Sequence, residues 1–140
     1  LTELERNGTG TIVVSLGAEA GDIAYTVYHA RRSYIERNPD IIERFTRAIY
    51  RGQQWVYAHS SEEIGEVVAH FFVGTDFDVL VEAIERYRSI DAWKPTPVIS
   101  PAGFEMLQQV MMAAGELGEV VPFDAMMSNE FADKVVSEQQ

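Results

Sequence analysis

The chain has 140 residues, 46% of them apolar, enough to bury a core of single-domain size. Eleven Lys and Arg face 22 Asp and Glu, a net charge of -11 that repels nucleic-acid phosphates and anionic membrane surfaces. Cysteine is absent, which excludes disulfides and thiolate chemistry, and no apolar run approaches the roughly 20 residues needed to cross a bilayer.

The first ten residues, LTELERNGTG, carry neither the positive start nor the apolar run of a signal peptide, and no initiating Met. The sequence is therefore expected to be a piece of a longer protein. Residues 11–17, TIVVSLG, are β-branched and read as a short strand closed by Gly17. Residues 21–30, GDIAYTVYHA, read as a second strand. Ile23, Tyr25, Val27 and His29 alternate with Ala24, Thr26, Tyr28 and Ala30, and apolar residues on both sides suit a strand buried on two faces. Arg31 to Arg37 is a short helix, ended by the restriction that Pro39 places on Asn38.

The longest element is expected from Asn38 to His59, with Asn38 as cap, Pro39 in the first turn and Asp40 at the positive end. Ile41, Phe45, Ala48, Ile49, Gly52 and Val56 recur at three- and four-residue steps and form its apolar face, which Ile42 and Trp55 widen. Glu43, Arg44, Arg47 and Arg51 fall mostly on the other side. Ser60 and Glu63 in SSEE match a capping box for the next helix, whose inward residues would be Ile64, Val67, Val68, Phe71 and Phe72. Gly74 breaks it, and Thr75 opens a helix with Phe77, Leu80, Val81, Ile84 and Tyr87 inside.

Pro95 and Pro97 keep residues 89–99 extended. Ser100 and Pro101 then restart a helix that turns Phe104, Leu107, Val110, Met111 and Ala114 inward and stops at Gly115. A turn at Phe123 to Met127 and a last helix from Asn129 to about Val136 complete the chain. Two strands cannot form an independent sheet, so they are either an ornament on a helical domain or part of a sheet completed by residues outside this sequence.

Three ordered stretches resemble the carboxy-terminal part of ABC-importer substrate-binding proteins: AYTVYHARRSYIERNPD, ERYRSIDAW, and the run from Pro97 through AAGEL to VPFD. The similarity extends from about residue 12 to residue 136, and the group it points to handles nitrate, sulfonates, taurine and thiamine-pyrimidine precursors. The resemblance implies an α/β type II periplasmic-binding-protein-like fragment, predominantly helical, with two short strands at residues 11–30 and helices over residues 31–136 of a single compact unit. It also implies a small-molecule ligand, a membrane permease as partner, and a periplasmic or extracytoplasmic location with a lipid anchor on the full-length protein.

Tyr25, Thr26 and Tyr28 are candidate ligand-binding residues, since rings and hydroxyls on a strand crossing a cleft can stack on and anchor a planar ligand. The plainer reading is that they fill both faces of a buried strand. Trp93 either caps a pocket or clamps the proline segment onto the helices. Ser15 to Gly17 could offer backbone amides to an anion, or simply turn. Glu62, Glu66 and His70 share a helical face but supply too few ligands for a closed metal site. His29 is expected in the core, and Met106, Met111, Met112, Met126 and Met127 are expected to fill gaps there.

No cofactor and no catalytic set is evident, so the chain is expected not to be an enzyme. The alternatives are a pyrimidine-synthase-like enzyme of the same fold and a helical protein-interaction domain that exposes an apolar patch and dimerises. Self-association through an unpaired strand edge is a further expectation.

Overall fold

A computed structural model describes residues 2–19 and 21–138. Leu1, Ala20, Gln139 and Gln140 lie outside the described residues, Ala20 falling within the stretch expected to be β. The helices are α1 (Thr2–Arg6), α2 (Leu16–Glu19), α3 (Arg32–Arg37), α4 (Pro39–Ala58), α5 (Ser61–Val68), α6 (Phe77–Ser89), α7 (Pro101–Ala113), α8 (Phe123–Met126) and α9 (Glu130–Ser137). A 3-10 turn, Ala69–Phe71, follows α5.

No strand is present among the described residues, which overturns the expected α/β fold with its two amino-terminal strands. Residues 11–15 and 22–31 are irregular and largely exposed, with Val13 94% and Tyr25 82% accessible, and His29 is exposed rather than in the core. β-branched and alternating residues favour a ladder only where a second segment runs alongside to accept it. Here the Ala24 amide donates instead to the Gly103 carbonyl at the start of α7 (3.1 Å).

The chain divides into two compact units, residues 1–20 with 52–95 and residues 21–51 with 96–140. Helix α4 contributes its last residues to the first unit and its earlier ones to the second.

In the first unit α5 and α6 form the centre. Ile64, Leu80 and Ile84 are buried together, with Trp55, Val56, Val68, Ala69 and Trp93 packed around them. The helices approach closely at Gly65, where a methyl group would stand 3.1 Å from Val81 Cγ2 and 3.2 Å from Phe77 Cε2. Helix α5 starts as the capping box requires: the Glu63 amide donates to Ser60 Oγ (3.2 Å) and the Ser60 amide to Glu63 Oε2 (2.8 Å).

Phe71 and Phe72 are exposed, against expectation, because the chain leaves α5 for the 3-10 turn at Ala69 and carries them off the helix face; Val67, still within α5, is exposed as well. The cap of α6 is Asp76 rather than Thr75, its Oδ1 accepting from the amides of Asp78 (3.0 Å) and Val79 (3.3 Å). Helix α1, which the sequence patterns did not suggest, is tied to α6 by Arg86 with Glu5 and by Arg6 with Glu82 (3.2 Å).

In the second unit the buried residues are Tyr50 of α4, Phe104 and Gln108 of α7, and Ala132 and Val135 of α9. The expected inward side of α4 is covered only in part, at Ile42, Ile49, Trp55 and Val56. Ile42, Thr46 and Ile49 are half-buried and Tyr50 fully so, while Ile41, Phe45 and Ala48 are exposed. Both sides of this helix hold apolar residues, so the neighbours rather than the pattern select the buried one.

Glu43 and Arg47, expected toward solvent, form a charged bridge to α9. Lys134 donates to Glu43, and Arg47 to both Glu43 (2.8 Å) and Glu138. Asn38 closes α3 and opens α4 at once. Its side chain donates to the Tyr34 carbonyl (2.9 Å), and its own carbonyl accepts from the amides of Ile41 (3.1 Å) and Ile42 (3.2 Å). Ser100 caps α7 as expected, accepting from the Gly103 amide (3.1 Å), and Gly115 ends that run in the left-handed region at φ 77°. Val110 and Ala114 nevertheless point outward, and Met106, Met112 and Met126 are exposed rather than core.

Candidate ligand site

The first unit holds a half-open hollow of about 150 Å³ lined by Val56, Tyr57, Arg88, Asp91 and Trp93. The end of α4 supplies Val56 and Tyr57, the end of α6 supplies Arg88, and the segment that follows supplies Asp91 and Trp93. Helix α6 ends in a left-handed turn. The Asp91 amide donates to the Arg88 carbonyl (3.0 Å), Asp91 itself sits at φ 50°, and the Ala92 amide returns to Tyr87 (3.0 Å). A short polar residue tolerates that conformation better than most. The turn sets Asp91 and Trp93 at the rim.

Arg88 Nη1 donates to the carbonyls of Val56 (3.3 Å) and His59. These are unsatisfied carbonyls at the negative end of α4, so a cation there serves both their hydrogen bonds and the helix dipole. Trp93 packs against the apolar core and stacks on Tyr87 with ring centres 5.8 Å apart at 22°. The Tyr57 hydroxyl donates to the Trp93 carbonyl (2.6 Å), and Gln54 Nε2 donates to that of Pro95 (2.8 Å). Trp93 therefore clamps the proline segment and also forms a wall of the hollow, so the two readings of this residue coincide.

One indole, one phenol, one guanidinium and one carboxylate around a small hollow suit a planar polar group of a few heavy atoms. Ligand pockets commonly measure roughly 300–1,000 Å³, so this hollow accommodates one end of a ligand rather than a large ligand entire.

Tyr25, Thr26 and Tyr28 belong to the second unit and are exposed along the extended stretch before α3. Tyr28 is 73% accessible and meets Phe45 edge-on at 4.9 Å. None of the three fills a strand interior, because the strand is absent. Tyr57, Arg88 and Asp91 were not singled out in sequence. The signal available for two of them was the pairing of Arg88 in a helix's last turn with Asp91 just ahead of Trp93 in ERYRSIDAW.

Ser15 to Gly17 only turn the chain into α2, the Ala18 amide reaching Ser15 Oγ (3.4 Å). The His70 ring meets that of Phe71 at 3.8 Å, tilted by 41°, and among the described residues no three His, Asp or Glu side chains gather as metal ligands. Among the same residues, no helix is long and apolar enough to cross a membrane.

No protein-family model matches the chain, and no solved structure matches it at a significant level. The chain is 40% identical over 134 residues to a curated Bacillus subtilis (strain 168) protein named "Putative binding protein YtlA". The alignment takes in 96% of this chain and 40% of that protein, so the chain spans two-fifths of the length of the relative it matches. The likeness is thus to a protein named for binding, and it runs through nearly every element described above.

Proposed function

We propose that this chain is part of a non-enzymatic, extracytoplasmic solute-binding protein, lipid-anchored in its full-length form, that captures a small ligand and delivers it to an ABC permease. The observation that carries this reading is the 40% identity over 134 residues to a protein named for binding. The three ordered stretches that resemble importer binding proteins support it, and on that resemblance the proposed ligand is of the sulfonate, nitrate or pyrimidine-precursor class. The hollow at Trp93 and Arg88 is the seat of one end of that ligand.

A thermal-shift screen of the longer protein containing this chain tests the proposal, since a ligand that binds only the native state raises the melting temperature by mass action. One class of sulfonate, nitrate or pyrimidine precursor is expected to give a saturable rise. Asp91→Asn, which preserves the left-handed turn while removing the charge at the rim, is expected to move the midpoint of that titration. A flat response to every class from folded protein would reject solute binding. A helical protein-interaction domain is the second reading, favoured by the exposed rings at Phe71, Phe72, Tyr25 and Tyr28.

A further inference from the structure

Charge is segregated along this chain. Residues 21–51 contain six arginines against four carboxylates, net +2 within a total of -11, which leaves -13 on the remaining residues. The positive stretch is also where the second unit exposes rings. Tyr28 and Phe45 touch, Ile41 and Ala48 lie exposed on the same side of α4 as Phe45, and Arg44 and Arg51 flank that side, both exposed. The outcome is an aromatic surface with a guanidinium edge.

The first unit carries its opposite. In the turn between α5 and α6, Phe71 is 75% and Val73 92% accessible, with Val67, Phe72 and Phe77 also exposed. Glu62 and Glu66 of α5 and Asp76 and Asp78 at the start of α6 are exposed as well, Asp76 pairing with Arg6 at 3.6 Å. Several exposed apolar side chains on one turn, with exposed carboxylates on the helices that flank it, suit a contact site.

We propose that this chain self-associates head to tail, the acidic aromatic turn between α5 and α6 of one copy seating on the arginine-edged aromatic face of α4 in another. The two surfaces complement one another in charge and are alike in apolar content. Pairing turn with turn would oppose carboxylates to carboxylates, and pairing face with face would oppose guanidinium to guanidinium. Like charges in contact cost enough to exclude wrong partners, so the unlike pairing is the one selected. Such a contact uses different patches on the two copies and either closes into a ring or continues as a chain.

Sedimentation velocity of the full chain at about 50 mM and about 500 mM salt reads the contact, because exposed charges separated by more than roughly 10 Å are screened at 0.1 M and above. Association is expected at the lower salt and is expected to weaken at least tenfold at the higher. Two variants separate the faces, Arg44→Glu with Arg51→Glu and Glu62→Lys with Glu66→Lys. Each is expected to lose self-association at least tenfold while keeping its helical circular dichroism, since all four side chains are exposed. Mixed in equal amounts, the two variants are expected to associate with each other, because each intact patch then meets its complement. A wild-type chain that stays monomeric at low salt, variants that associate as wild type does, or a mixture that stays apart would each overturn the proposal.

Discussion

Both units bury apolar side chains, but they differ in what supplements that packing. The first is centred on an apolar contact, Ile64 against Leu80 and Ile84, with Trp55, Val56 and Trp93 around it and Gly65 letting the two helices close in. The second buries Tyr50, Phe104, Ala132 and Val135 and adds directional bonds from amide side chains to distant extended backbone. Gln108, buried in α7, accepts from the Val121 amide (2.6 Å) and donates to the Val121 carbonyl (3.1 Å). Asn129 serves Ile99 in the same way, accepting from its amide (2.8 Å) and donating to its carbonyl (2.9 Å). Each amide presents one donor and one acceptor to one residue's backbone, as a neighbouring strand would. Extended segments can therefore be satisfied without a sheet, provided helices bring amides to them.

The largest break in this comparison is expected from the apolar side. Leu80→Ala removes a buried side chain from a cluster of three and is expected to cost about 2–5 kcal/mol by chemical denaturation. Both tryptophans, Trp55 and Trp93, lie in the first unit, so their fluorescence reports that unit's transition directly. A smaller loss, about 1–3 kcal/mol, is expected from Gln108→Ala, which strands a donor and an acceptor on Val121. Its effect should appear in circular dichroism of the whole chain. If Gln108→Ala proved neutral and Leu80→Ala alone destabilised, the amide clamp would not be a support of the second unit.

The smallest effect belongs to the charged bridges. The Arg86 hydrogen bond holds the Glu5 carboxyl below the usual glutamate range, Lys134 does so for Glu43, and the Ser60 amide does so for Glu63. A carboxylate with a lowered folded-state pKa adds stability above its unfolded pKa and loses it as the pH falls through the folded value. Melting temperature is thus expected to fall on acidification below the ordinary glutamate range. High salt at neutral pH is expected to reproduce only part of that fall, because surface pairs are screened and individually weak.

Much of the helical layout was legible in the sequence, and the reasons are local. The capping box of Ser60 with Glu63, the Ser100–Pro101 start and the stop at Gly115 all involve groups a few residues apart, whereas α5 ends at Val68, ahead of the expected break at Gly74. The site was less legible. Trp93 was recognisable as an aromatic beside prolines. Arg88 and Tyr57 become lining residues only because the ends of α6 and α4 meet the same segment, 29 to 36 residues apart along the chain. Tyr25 and Tyr28 read as interior strand residues because alternation is the mark of a strand, whereas their exposure follows from the lack of anything paired with that stretch.

What the amino-acid order determined by itself is where α4, α5 and α7 begin and where α7 stops, because caps, prolines and a left-handed glycine act within one turn of backbone; it did not announce α1 or α2. What only the tertiary structure decided is which side of α4 turns inward, whether residues 11–15 and 22–31 pair as strands, and which amide clamps which extended segment. Each of those outcomes depends on a partner many residues away. A pattern of apolar side chains states that a face will be covered and leaves open what covers it.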